Sequence, residues 1–103
     1  MSIRIVPTED DGRTVYAPRV FCDHCGQEIT DAGRAMFAWP WDEARAGDST
    51  APLFLHKGPC AETAAPRETH GWDELERFPL FLAANIGADL ERAKRSAQFM
   101  ARL

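Results

Sequence analysis

Long apolar runs are missing from this sequence. No segment approaches the roughly 20 residues that a membrane-spanning helix needs, and the opening MSIRIVPTEDDG holds no apolar stretch of signal-peptide length. The expectation is a cytoplasmic chain with no membrane partner. Positive charge is also in short supply: 12 Lys and Arg stand against 16 Asp and Glu, a net charge of −4. That balance opposes broad attraction to phosphate and disfavours a nucleic-acid module driven by whole-chain electrostatics. Cysteine is scarce, at three residues, a number that cannot pair fully within one chain. A disulfide-stapled secreted framework is therefore not expected.

What is present fits one small domain. Hydrophobic residues make up 45% and charged residues 27%, which excludes wholesale disorder. At 103 residues, however, apolar burial alone gives only a modest stability margin. The single domain divides into a β-prone arm (1–20), a Cys/His-bounded core (21–66) and a helical tail (69–103). In the arm, Ile3-Arg4-Ile5-Val6 and Thr14-Val15-Tyr16 flank the turn-forming Glu9-Asp10-Asp11-Gly12, the pattern of a hairpin. In the core, Ala35–Trp39 and Pro52–His56 read as two strands joined by a polar loop around Asp42–Thr50. Pro59 suits the first turn of a helix and places Cys60 at its start. The tail reads as a helix from Thr69 or Gly71 through Arg77, a second from Pro79 to Ile86 ended by Gly87, and a third capped by Asp89. Leu90, Ala93, Ala97 and Met100 are the expected inward positions of this last helix.

The chemistry concentrates in two short motifs. FCDHCG at Phe21–Gly26 presents two thiols on a C-x-x-C turn, and LHKGPC at Leu55–Cys60 adds an imidazole and a third thiol. A zinc ion takes four N or S donors in a tetrahedron, and Cys22, Cys25, His56 and Cys60 supply that number while using every cysteine of the chain. Four protein donors leave no position for water or substrate, which marks a structural rather than a catalytic zinc. His24 and His70 are the alternative imidazoles. Mixed Cys/His ligation favours zinc over iron.

These motifs, spread over about Val20 to Pro66, resemble a treble-clef zinc finger and, within that group, the zinc-binding half of a LIM domain. The resemblance implies an α+β fold, with a Cys-x-x-Cys knuckle, a β-hairpin and a short helix gathered around one structural zinc. It carries the ligand roles to Cys22, Cys25, His56 and Cys60. A LIM domain spaces its His and Cys more closely and has a second zinc site, and neither feature is present in this chain.

Outside the motifs, Phe37, Trp39, Phe54 and Trp72 are expected to supply core area, with Trp41, after Pro40, as the exposed exception. Asp42 and Glu43 have no accompanying nucleophile or phosphate loop and read as a solvated loop rather than an acid–base pair. Arg92, Lys94, Arg95 and Arg102 give the last helix a basic side, with Phe99 near its apolar one. The expected role is a non-enzymatic, zinc-stabilised interaction or regulatory module that binds another protein through Trp41 or through the tail residues Arg92, Arg95 and Phe99. The alternatives are a homodimer through the last helix, a nucleic-acid-binding finger and a zinc-thiolate redox sensor.

Overall fold

The computed structural model describes residues 2–41 and 51–97. Among these residues the fold is α+β, with two three-stranded antiparallel sheets and three short helices. The first sheet holds β1 (Ile3–Asp10), β2 (Arg13–Phe21) and β3 (Glu28–Ile29) in that order. The expected hairpin is present, and Asp11 and Gly12 both take positive φ at its tip (50° and 74°), the type I′ turn that matches strand twist.

Proline placement follows from the register of this hairpin. Phe21 N–H donates to the Ser2 carbonyl at 2.8 Å, so Ser2 and Phe21 are a hydrogen-bonded pair. Strict alternation then makes Pro7–Tyr16 and Ile5–Pro18 non-hydrogen-bonded pairs. Neither proline removes a bond of the β1–β2 ladder. On its other edge β2 meets β3 at Val20–Ile29 and Phe21–Glu28. Pro18 would be the next donor toward β3, and having no N–H it ends that ladder.

The second sheet runs β5 (Leu53–His56), β4 (Ala35–Pro40), β6 (His70–Glu74). Its two faces carry two small cores. Met36, Ala38 and Leu55 pack with Cys22 and with Ala61 and Ala65, which belong to or follow α1 (Pro59–Ala64). Ala35 and Phe54 pack with Leu75, and Phe78 lies edge-on to both Phe37 and Phe54 at 5.0 Å. Phe54 and Leu55 are the largest fully buried side chains among the described residues, and burying each contributes about 1.5–3 kcal/mol.

Two stretches differ from the sequence reading. Residues 70–74 form strand β6 rather than helix, followed by a 3-10 turn at Leu75–Arg77. The local helix propensity of Trp72–Arg77 is worth only tenths of a kcal/mol per residue, and the long-range ladder of five pairs with β4 outweighs it. The second difference lies in the tail. Helix α2 (Phe78–Asn85) ends in a Schellman arrangement at Gly87, with Ala88 N–H donating to the Ala83 carbonyl. Asp89 caps α3 (Leu90–Ala97) by accepting from Arg92 N–H at 3.0 Å. The capping is as expected, but α3 buries none of its residues and Leu90 is 47% exposed; Met100 lies outside the described residues. The apolar stripe of α3 faces no core. Among the described residues no helix is long and apolar enough to cross a membrane.

Gly71 lies opposite Trp39 in the β4–β6 register. A Cβ there would fall 2.7 Å from the indole ring, well inside van der Waals contact. Gly71→Ala is expected to displace the Trp39 ring and lower the unfolding free energy by about 1–3 kcal/mol. Chemical denaturation followed by tryptophan fluorescence checks this.

Candidate metal centre

The C-x-x-C turn forms at the tip between β2 and β3. Cys22 N–H donates to the Gln27 carbonyl at 2.9 Å, and Gly26 N–H donates back to the Cys22 carbonyl at 3.0 Å. This closes a knuckle with its backbone amides turned inward. Gly26 holds φ +77°, where a Cβ would add strain. The other two donors come from the loop between β5 and α1. His56 ends β5, Gly58 reverses the chain at φ 89°, ψ −134°, and Pro59 opens α1 at N1 with Cys60 following it. That backbone conformation is costly for any residue with a side chain, so Gly58 is what lets His56 and Cys60 approach one point.

The four donors meet. Ligand atoms of Cys22, Cys25, His56 and Cys60 all lie within 4.8 Å of one another, and Cys25 Sγ is 3.4 Å from His56 Nδ1. A tetrahedral ion with metal–sulfur bonds of about 2.3 Å and metal–nitrogen bonds of about 2.05 Å places S and N about 3.6 Å apart and two sulfurs about 3.8 Å apart. The cluster is thus near the size such an ion requires, and its donor set suits a thiophilic divalent cation. Cys22 is buried at 3% exposure, Cys60 and His56 are half-buried, and Cys25 is exposed.

Electrostatics at the sulfurs point the same way. Burial of Cys22 works against its thiolate, but backbone N–H groups of Cys25, His56 and His24 directed at the sulfur outweigh it, holding the pKa at about 6 against an ordinary 9.0. Cys60 is pushed up to about 11, by desolvation and by the neighbouring sulfurs of Cys22 and Cys25. Three thiolates cannot crowd together without a compensating cation. A divalent ion held by the four donors would supply that charge.

One residue that holds the knuckle in place carries no signal in the sequence motif itself. Asp23, between the first two cysteines, ties the knuckle to β5 through both of its polar ends. Its N–H donates to the Phe54 carbonyl at 2.7 Å, and its Oδ2 accepts from Phe54 N–H at 2.7 Å. Ser2 Oγ donates to its Oδ1. Because Phe54 lies two residues before His56, this clamp sets the distance between the knuckle thiols and the imidazole. Lys57 secures the other side of the loop, its N–H bonding to the Arg34 carbonyl at 2.9 Å and its Nζ pairing with Glu74 at 2.6 Å.

The remaining candidate residues lie apart from this cluster. His70 accepts or donates at Nδ1 with Thr69 Oγ1 at 2.8 Å, and His24 is exposed. Trp41 is 57% exposed, while Phe54 is buried and Phe37 and Trp39 are half-buried. Trp72, expected in the core, is 38% exposed beneath the Arg67 guanidinium, 5.6 Å from its ring. Arg92 and Arg95 sit exposed on α3. Asp42, Glu43, Phe99 and Arg102 lie outside the described residues. A cleft of about 510 Å³ beside α1 is floored by Met36, Ala61 and Ala65 and includes none of the four donors. Two cations, Lys57 and Arg67, and two carboxylates, Glu62 and Glu68, also line it.

Fold and site together define a small α+β protein with a Cys3His cluster whose donors suit a metal ion. No protein-family model matches the sequence, and neither the curated proteins nor the solved structures give a significant match.

Two outcomes follow from this geometry. Asp23→Ala keeps all four donors but frees the knuckle from β5, and is expected to bind added Zn2+ about 10- to 100-fold more weakly in competition with a chromophoric chelator. The second concerns pH. At neutral pH Cys22 is already largely thiolate, whereas Cys60 keeps its proton and must release it to the metal. Affinity is therefore expected to rise with pH by about tenfold per unit for each proton displaced. It falls more steeply once pH drops through about 6 and Cys22 protonates as well. The same competition assay repeated across that range measures the slope.

Proposed function

We propose that this protein is a zinc-folded, non-catalytic interaction module of treble-clef type, whose ion organises the fold and whose partner is another protein. The observation that carries the reading is the convergence of Cys22, Cys25, His56 and Cys60 into a set that fills a tetrahedron from protein donors alone. The order of elements supports the treble-clef comparison: a knuckle after β2, the β4–β5 pair, then His56 at a strand end and Cys60 in the first turn of a short helix. Protein binding is supported by the tail, where Leu80, Ile86 and Leu90 are 59%, 68% and 47% exposed. Such a concentration of large apolar side chains on the surface marks an interaction site.

Elemental mass spectrometry on protein purified without added metal, for wild type, Cys25→Ser and Cys60→Ser, tests the reading. One zinc per chain in wild type is expected, with both variants losing metal and native near-UV circular dichroism together. A metal-free wild type that is fully folded overturns it.

A further inference from the structure

The three cysteines of the metal centre differ in how far they meet solvent. Cys22 is buried, Cys60 is half-buried and Cys25 is exposed. The fold imposes this order. Cys22 directly follows β2 and packs in one core with Met36, Leu55 and Ala61, and backbone N–H groups of Cys25, His56 and His24 are directed at its sulfur. Cys60 lies in the first turn of α1 and packs against the same core. Cys25 belongs to neither core; its Sγ lies 3.4 Å from His56 Nδ1 on the outside of the cluster.

Holding a divalent ion requires all three thiols to be deprotonated. Thiolate character then no longer separates them, and susceptibility to an oxidant follows exposure. Cys25 is the sulfur that a small electrophile reaches. It also has what disulfide formation needs, a second thiolate at hand. The donor atoms of Cys22 and Cys60 lie within 4.8 Å of its own, so a shift of at most about 2.8 Å brings two sulfurs to the roughly 2.05 Å of a disulfide.

We propose that Cys25 is an oxidation site for hydroperoxides, and that its conversion to a disulfide with Cys22 or Cys60 opens the metal centre. The Cys25 thiolate attacks the terminal oxygen of the hydroperoxide. The O–O bond breaks, and the departing alkoxide, or hydroxide in the case of hydrogen peroxide, takes a proton from water. Cys25 is left as a sulfenic acid. The neighbouring thiolate attacks that sulfur, the S–O bond breaks, and hydroxide leaves and is protonated to water. Two thiolates thereby lose two electrons, and the hydroperoxide gains them to become an alcohol and water. Of the four donors, His56 and one thiolate remain, too few for a closed tetrahedral site. The inference rests on the reading of the chain as zinc-folded and adds a regulation of that same site.

The test uses the full-length, zinc-loaded chain, hydrogen peroxide and a chromophoric chelator that reports free Zn2+. Wild type is expected to release its zinc as peroxide is consumed, with peptide mapping finding Cys25 in a disulfide. Cys25→His keeps four donors of kinds that zinc accepts, and is expected to hold its ion and release it at least about tenfold more slowly, because the accessible thiolate is gone. Cys60→His, which retains that thiolate, should release zinc at close to the wild-type rate. Limited alkylation of zinc-loaded wild type with iodoacetamide needs no variant: Cys25 is expected to be labelled ahead of Cys22 and Cys60, and any other order overturns the proposal. So do equal rates for wild type and Cys25→His, or a map in which Cys22 and Cys60 are joined and Cys25 is free. Zinc content before oxidation separates the failures. A folded wild type whose single zinc survives excess peroxide sinks this inference alone, whereas a folded wild type without zinc sinks the reading beneath it.

Discussion

Four donors carried by two distant stretches of chain can share one ion only if those stretches are held at a fixed distance. The Asp23–Phe54 clamp provides that distance. Two backbone-level hydrogen bonds, each with a net contribution of about 0.5–1.5 kcal/mol and more for the one to the carboxylate, are small beside the apparent 10–16 kcal/mol of a structural zinc in a finger peptide. Their importance is geometric. They bring the knuckle to the strand that ends in His56, so that the ion meets a site already near its required size instead of closing a long loop by itself.

Much of the remaining structure is marginal without that centre. At six residues, α1 is far below the length at which a helix persists alone in water. It is held by Cys60 at its start and by Ala61 and Ala65 against Met36 and Leu55. Among the described residues, the cores on the two faces of β4 and β5 contain only two fully buried large side chains, a small apolar interior to set against the ordering entropy of the chain. A metal centre is the term that can close such a gap in a domain this small.

The sequence made this centre legible because ligand spacing is local chemistry. C-x-x-C and H-x-x-x-C each draw their donors from nearby positions, and Gly26 and Pro59 mark the turns that aim them. The β1–β2 hairpin was legible for the same reason, since Asp11-Gly12 encodes its own turn. Strand β6 was not. Its residues favour a helix when read alone, and what makes them a strand is the edge of β4, some 30 residues away in sequence. Asp23 was hidden in a similar way: inside the motif it looks like a spacer, and its role exists only when Phe54 lies beside it. The exposure of α3 could not be read either, because an amphipathic pattern states that one face is apolar without stating what covers it.

That last ambiguity bears on how the molecule divides its apolar residues. A domain of this size without a metal would need Leu80, Leu82, Ile86 and Leu90 in its interior. The fold instead anchors the tail through Phe78, whose ring contacts Phe37 and Phe54, and leaves those four on the surface. If zinc carries the stability, these side chains are released from that duty and can serve recognition. Charge is divided unevenly as well: α3 carries two net positive charges in a chain whose total is −4.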